Sequence, residues 1–376
     1  MLREAARHGP RVSDEILDVA VVGAGAMGAA TAWHLARAGR SVAVLEQFEP
    51  GHVRGASHGA SRNFNVAYTE PEYLAWLRDA RALWRDLESE AGVPLLETTG
   101  IVTHGAGRDL AAATEAIAAG GFDAELLDAS AASTRWPGLR FAGPVLHTPG
   151  AGRLDADSSV AAFLAGAAAS GARVQWRTAV SEVEVHGDDD VRFTVTDAEG
   201  RRRVRARRLV CTAGAWTART LATVRGVRLP ALRVTQEQPA HFRPRDPASV
   251  WPGFNHHPDP ADPATSWFRA PVYGMLTPGQ GVKAGWHAAG PEVDPDLRSF
   301  VPDPALTSAL VRYAHEWLPG VDATAFREVT CTYTSTVDAR FVLDRVGPVV
   351  VGAGFSGHGF KFTPVVGRML AALASR

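Results

Sequence analysis

The segment LDVAVVGAGAMGAATAWHLARAGRSVAVLEQ, residues 17–47, leaves little freedom in how the chain can fold. Val19 to Val22 form a continuous apolar run of the kind found in a buried parallel strand. Gly23, Gly25 and Gly28 follow at G-x-G-x-x-G spacing. A helix is expected from there to about Ala38, ended by Gly39, a residue type favoured just past a helix C-terminus. A second strand over residues 41–45 ends in Glu46. Strand, glycine turn, helix, strand and acid together make up the dinucleotide fingerprint. In that motif Gly23 makes the tight turn, Gly25 lets backbone approach a pyrophosphate, and Gly28 permits close helix–strand packing. Glu46 supplies the carboxylate that accepts the hydroxyl hydrogens of an adenosine ribose. The fold class is therefore α/β with a Rossmann-like domain. The motif does not separate NAD from FAD, because both carry an ADP half.

A chain of 376 residues, 46% of them apolar, is long enough for two domains or one large α/β unit. Its 39 basic and 40 acidic residues nearly cancel, so bulk charge argues for neither nucleic acid nor an anionic membrane. Two cysteines, Cys211 and Cys331, are too few for a disulfide framework and fit a reducing, cytoplasmic setting. Residues 1–16 carry charges throughout and read as a loose leader rather than a signal peptide. No run of eighteen uninterrupted apolar residues occurs, so no membrane span is expected. The histidines lack metal-ligand spacing, and no metal site is expected.

Further along, Gly55, Ser57 and Gly59 match the hydrolase pattern G-x-S-x-G. A nucleophile elbow needs a strand before it and a helix after it, and EPGHVR is no strand. Residues 71–91 predict an amphipathic helix with Pro71 at its first position. Residues 151–176 read as a turn, a helix capped by Asp155 or Asp157, and a strand. The basic run Arg201 to Arg208 reads as a solvated hairpin arm facing the acids Asp188 to Asp190. Cys211, in an apolar strand end, reads as an inert buried thiol. Residues 239–265, rich in Pro, His and Asp, predict an irregular excursion. GVKAGWH reads as a strand carrying Lys283 and His287. The C-terminal GPVVVGAGFSGHGFKF is a second strand and glycine-rich turn leading into a helix, which suits a second anionic or dipolar group.

Together these pieces resemble the monomeric sarcosine oxidase and N-methyltryptophan oxidase family, part of the larger group of D-amino-acid-oxidase-like flavoproteins. The resemblance runs from Asp18 to the C-terminus and is carried most specifically by GASHGASR, GVKAGWH, CTYT and GFSGHGFKF. It implies FAD bound through the sulfur of Cys331 to the 8α-methyl group. It implies a discontinuous FAD domain over 17–90, 151–222 and 325–376, and an antiparallel-sheet substrate domain over 91–150 and 223–324. Gly23, Gly25, Met27, Gly28, Glu46, Ser57, His58, Val180, Gly214 and Trp216 would then contact the cofactor. So would Arg62, Cys331, Gly357, His358, Gly359 and Lys361, with the last glycine turn near the flavin C2 carbonyl. Lys283 would sit over the flavin and lower the cost of forming superoxide. Tyr273, His287 and Tyr333 would line the substrate pocket, and Lys361 would bind a substrate carboxylate. The implied reaction is oxidation of a secondary or other small amine by O2 to imine and hydrogen peroxide, by a monomer. A dehydrogenase passing electrons to another acceptor, or a non-catalytic FAD protein, would keep the fold.

One position departs from the family. Its loop reads R-x-x-R, with the second arginine on the substrate carboxylate, whereas this chain has Arg62 and then Asn65. Asparagine cannot offer a charged bidentate fork. Either another cation fills the gap, with Arg269 a candidate if it shares a strand face with Tyr273, or the substrate is larger or lacks a simple carboxylate.

Overall fold

The computed structural model describes residues 16–376. The leader expected over residues 1–16 lies outside the described residues except for its last position.

The fingerprint strand Leu17–Val22 is buried along almost its whole length, and it takes the middle of a parallel sheet. In spatial order that parallel core is Arg173–Gln175, Val42–Leu45, Leu17–Val22, Gly200–Cys211 and Val349–Ala353. Both faces of such a sheet need cover. The helices Ala26–Arg37, Ala156–Ala169 and Thr363–Ser375 supply one cover, joined by the amphipathic helix Pro71–Ala91. Small residues let these helices approach closely: a Cβ on Gly367 would stand 2.6 Å from that of Ala30. Of the two capping candidates, Asp155 caps its helix by accepting from the Ser158 N–H at 2.9 Å. Asp157 instead accepts from the Gly59 N–H at 2.9 Å and ties the helix to the GASHG loop. No strand precedes Ser57 directly, as the sequence implied.

The first half of Gly200–Cys211 runs past the parallel core and pairs antiparallel with Asp190–Asp197 in the same sheet, forming the expected basic hairpin. Its arginines meet acids: Arg201 with Glu182 at 2.6 Å, Arg203 with Glu184 at 2.5 Å and Arg205 with Asp190 at 2.8 Å. Cys211 is fully buried, and burial pushes its thiol pKa up to about 12, which makes it inert.

A second eight-stranded sheet runs from Val321–Glu328 through Ala240–Pro244, Gly281–Trp286, Val272–Thr277, Gly253–His256, Ile101–His104 and Val145–Thr148 to Glu125–Leu127. It is antiparallel except where Gly253–His256 lies parallel to Ile101–His104. The excursion expected over residues 239–265 is thus corrected: it contains two strands of this sheet, Ala240–Pro244 and Gly253–His256. Their pairing partners lie far off in sequence, so tertiary hydrogen bonding sets their conformation against a local composition that disfavours strands. Two histidines of the sheet, His104 and His256, stack at 3.9 Å deep in its core, and His256 Nδ1 lies 3.3 Å from the Tyr313 hydroxyl. Among the described residues, no helix is long and apolar enough to cross a membrane, and no cluster of His, Cys, Asp and Glu could hold a metal.

Candidate active site

Residues from both large sheets line one cavity of about 1550 Å³. At one end stands the glycine turn. Gly23 has φ +95°, open to glycine at little cost. A Cβ on Gly28 would lie 1.9 Å from the Gly23 carbonyl oxygen, so Gly28 packs inside the turn and lies off the cavity wall. Gly23, Gly25 and Met27 do face the cavity. Ser57 closes over them, with its Oγ accepting the Ala26 N–H at 3.0 Å. The Glu46 carboxylate is held by backbone, accepting from the Ala24 N–H at 2.9 Å and the Phe48 N–H at 3.1 Å. Each oxygen keeps a second lone pair for a ribose hydroxyl. Val180, Gly214 and Trp216 line the same cavity, and the Trp216 indole donates to Asp296 at 2.6 Å.

His58 supplies the test of whether these residues fit a dinucleotide. Its Nε2 is buried and has no hydrogen-bond partner among the described residues. Burial, then the charge of Arg62, pushes its pKa down to about 3, so the ring is neutral. An orphaned buried nitrogen on the wall of a glycine-rich cradle fits a bound group that completes it.

Alternation places the chemistry. In the strand Gly281–Trp286, Val282, Ala284 and Trp286 enter the core of the second sheet, which turns Lys283 toward the cavity. Lys283 is 6% exposed, and its Nζ donates to the Ser61 carbonyl at 3.3 Å. Burial, then repulsion from Arg62, lowers its pKa to about 7. Arg62 donates to the carbonyls of Ser61, Ala56 and His58 at 2.6–2.8 Å. Tyr273 and Tyr333 face the same space, and the Tyr333 hydroxyl lies 3.4 Å from His287 Nδ1. Burial raises both phenol pKa values and drops that of His287 to about 4, so all three rings are neutral near pH 7.

The second glycine turn closes over this cluster. A Cβ on Gly357 would run 2.1 Å from the Tyr333 ring. His358 Nδ1 lies 3.0 Å from the Tyr68 hydroxyl and its Nε2 lies 3.0 Å from the Ala339 carbonyl. Lys361 donates to the Tyr68 oxygen at 3.0 Å and to the His358 carbonyl at 2.8 Å, and burial lowers its pKa to about 7. Gly359 lines the cavity beside them.

Cys331 begins the strand Cys331–Ser335, paired with Arg233–Glu237 so that it stands opposite Glu237. Part of its surface opens to the cavity, yet it lies deep enough for burial to raise its thiol pKa. Arg62, Lys283 and Arg298 pull the other way without winning. Cationic neighbours are present, but desolvation is the larger effect.

Several cavity residues carry no sequence signal. Tyr68, Arg108, Asn255 and His257 come from loops or strand ends whose positions depend on distant packing. Arg298 braces the site from behind, donating to the Arg54 carbonyl and the Thr330 hydroxyl, both at 3.1 Å, next to Cys331. Arg269 is a correction. The strand begins only at Val272, after Pro271, so Arg269 shares no strand face with Tyr273; it is exposed and off the cavity.

Comparisons with known proteins agree with this arrangement. The FAD dependent oxidoreductase (DAO) family matches residues 18–373. Monomeric sarcosine oxidase of Bacillus sp. (strain NS-129) is 32% identical over 371 residues, covering 95% of this chain and 92% of that protein. Peroxisomal sarcosine oxidase of Mus musculus is 33% identical over 380 residues, covering 96% and 92%. The structure of NikD, an unusual amino acid oxidase essential for nikkomycin biosynthesis, superposes with a TM-score of 0.82 at 28% identity, covering 96% of this chain and 94% of that one. The match spans the glycine turn, both sheets and the second glycine turn, and the chain belongs to the DAO family of FAD-dependent oxidoreductases.

Proposed function

We propose that this chain oxidises the C–N bond of a secondary amine, sarcosine or another N-methyl amino acid, with FAD held covalently through Cys331 and O2 as acceptor. The observation that carries the reading is the meeting of Lys283, Tyr273, Tyr333 and His287 in the cavity that also holds the dinucleotide turn. The names of the relatives, sarcosine oxidases and an N-methyl-L-tryptophan oxidase at 28% identity, support the substrate class.

The glycine turn at Gly23 and Gly25, with Glu46 and Ser57, would hold FAD, which would supply two-electron redox chemistry for a net R–CH2–NH–R′ + O2 → R–CH=N–R′ + H2O2. The protein's own part is electrostatic. Arg62, with Lys283 and Lys361 partly protonated near pH 7, makes the cavity positive, while His287 and both tyrosines stay neutral. A positive, partly desolvated cavity disfavours an ammonium, so an amine bound there gives up its proton and presents its lone pair. The Tyr333–His287 pair orients that nitrogen. Lys283 is reserved for the oxygen step.

Anaerobic mixing with sarcosine and larger N-methyl amino acids should bleach the flavin, and admission of air should restore it with release of hydrogen peroxide. The denatured polypeptide should fluoresce on a gel, and Cys331→Ser should release its flavin on acid precipitation. Absence of bleaching with every amine sinks the reaction, and flavin released from wild type sinks the covalent link.

A further inference from the structure

One wall of the cavity is left unused by this chemistry. Asn65 stands there, just past the short strand Arg62–Phe64, with its Oδ1 accepting the Ala67 N–H at 2.9 Å. Arg108 reaches the same residue from the other side, donating from Nη2 to the Ala67 carbonyl at 2.6 Å. Both side chains line the cavity, beside Tyr68 and His257.

Arg108 arrives on a loop, residues 105–109, between the strand Ile101–His104 and the helix Leu110–Ala119. The loop is tightly seated. Gly105 has φ +98°, and a Cβ there would lie 1.9 Å from the His257 carbonyl oxygen. A Cβ on Gly107 would lie 2.5 Å from the Pro258 carbonyl oxygen. The His257 N–H bonds the His104 carbonyl at 2.9 Å, and Asp109 caps the following helix by accepting from Ala112 at 3.0 Å. Backbone contacts on both sides therefore aim the Arg108 side chain.

A guanidinium has five N–H donors, and the Ala67 carbonyl occupies one. Among the described residues no carboxylate comes within ion-pair distance of Arg108, although Glu70 is near enough to oppose the lowering of its pKa by burial. Its charge, after burial, helps to hold His257 neutral, with a pKa of about 4. The cation is half-buried, fixed by its loop, and faces the cavity with most of its fork free. A planar anion matches that fork.

We propose that Arg108 recognises a carboxylate on the substrate, doing from the loop at 105–109 what an arginine at position 65 would do. The inference rests on the amine-oxidation reading and narrows it to N-substituted amino acids. In this reading Asn65 keeps no charge of its own and sets Ala67, on which Arg108 rests.

The test uses the holoenzyme and two probes of equal shape, propionate and propionamide, titrated against the visible flavin absorbance. Wild type should prefer propionate. Arg108→Met should weaken propionate roughly tenfold to a hundredfold and leave propionamide unchanged. Arg108→Gln, which keeps a donor for the Ala67 carbonyl, should show the same selective loss, and Arg108→Lys should recover part of it. With an N-methyl amino acid the loss should fall on KM more than on kcat. A wild type indifferent between the probes, or variants that lose both probes equally, overturns the proposal. Failure of every amine to bleach the flavin overturns the oxidation reading, while the propionate titration still decides the role of Arg108.

Discussion

Two groups of cations in this molecule sit in opposite company. On the hairpin, Arg205 meets Asp190 on the neighbouring strand, and Arg201 and Arg203 reach Glu182 and Glu184 on the strand beyond it, all at the surface. In the cavity, Arg62, Lys283, Lys361 and Arg108 donate to carbonyls and a phenol, and among the described residues none has a carboxylate within ion-pair distance. The hairpin charges are satisfied within the chain. Such exposed pairs contribute little, because water screens them and ordering long side chains opposes the gain. The cavity charges are desolvated and unneutralised, which costs stability and makes sense only if an anion arrives. Reduced flavin and a substrate carboxylate are both anions. Buried cations without acids therefore mark function, and paired arginines in water mark a solvated face.

The contrast can be broken in several ways. Lys283→Met should slow reoxidation of the reduced enzyme by about a hundredfold or more, with a much smaller change in anaerobic reduction. Its folded pKa, about 7, lies below the usual lysine value, so it contributes full stability only above about pH 10.5 and loses it as pH falls toward 7. The same variant should therefore raise the thermal midpoint at pH 7.5. Equal loss in both half-reactions, or a lowered midpoint, would make Lys283 a structural residue.

Lys361→Met should raise KM for an amino-acid substrate about tenfold, through a lost charged contact, and leave reoxidation alone. Stopped-flow traces of the two half-reactions separate these effects.

The pH dependence of stability divides the regions again. His104, His58 and His358 have folded pKa values of about 3, and His287 about 4, all below 6.5, mainly through burial. Unfolding lets each take up a proton, so their stabilisation is complete above pH 6.5 and is lost as pH falls toward 4, by up to about 1.4 kcal/mol per pH unit for each histidine. Hairpin carboxylates, which their arginines hold below the free value, join the slope only at the lower end of that window, where the unfolded chain begins to protonate. Thermal midpoints should fall steadily from pH 6.5 to 4.5, and a flat profile there contradicts the buried neutral histidines. The smallest effect should come from Arg205→Ala, whose midpoint should match wild type at physiological salt, because Arg205 is half-exposed and Arg192 still pairs with Asp190 at 3.0 Å. A clear loss would show that the hairpin does more than shield a sheet edge.

Much of this site is legible in the sequence where chemistry follows local geometry. Gly23 and Glu46 lie on one strand–turn–helix–strand unit, so spacing alone places them at one end of the cavity. Lys283 and Cys331 were singled out only through the family resemblance; the residues themselves read as a strand lysine and a strand cysteine, and both line the cavity. Arg108 was not legible: a Gly-rich loop says only that the chain turns, and its direction comes from backbone contacts with residues 257–258, some 150 positions away. Arg269 failed for the converse reason: sharing a face with Tyr273 required an uninterrupted strand, and the strand begins only at Val272, after Pro271. The strands Ala240–Pro244 and Gly253–His256 were hidden by composition and revealed by their partners.

The contacts around His358 have a direction. A carbonyl can only accept, so the Ala339 oxygen requires that His358 carry its hydrogen on Nε2. Nδ1 is then an acceptor and takes the hydroxyl hydrogen of Tyr68, whose oxygen in turn takes a hydrogen from Lys361. Every donor in the series points away from the lysine, as beads on a string all threaded the same way. The series admits no reversal, because the peptide oxygen of Ala339 at its far end has no hydrogen to give. A proton added to His358 would land on the one atom that faces the Tyr68 hydroxyl, so the string would break there first and free the tyrosine to turn toward whatever lies in the cavity.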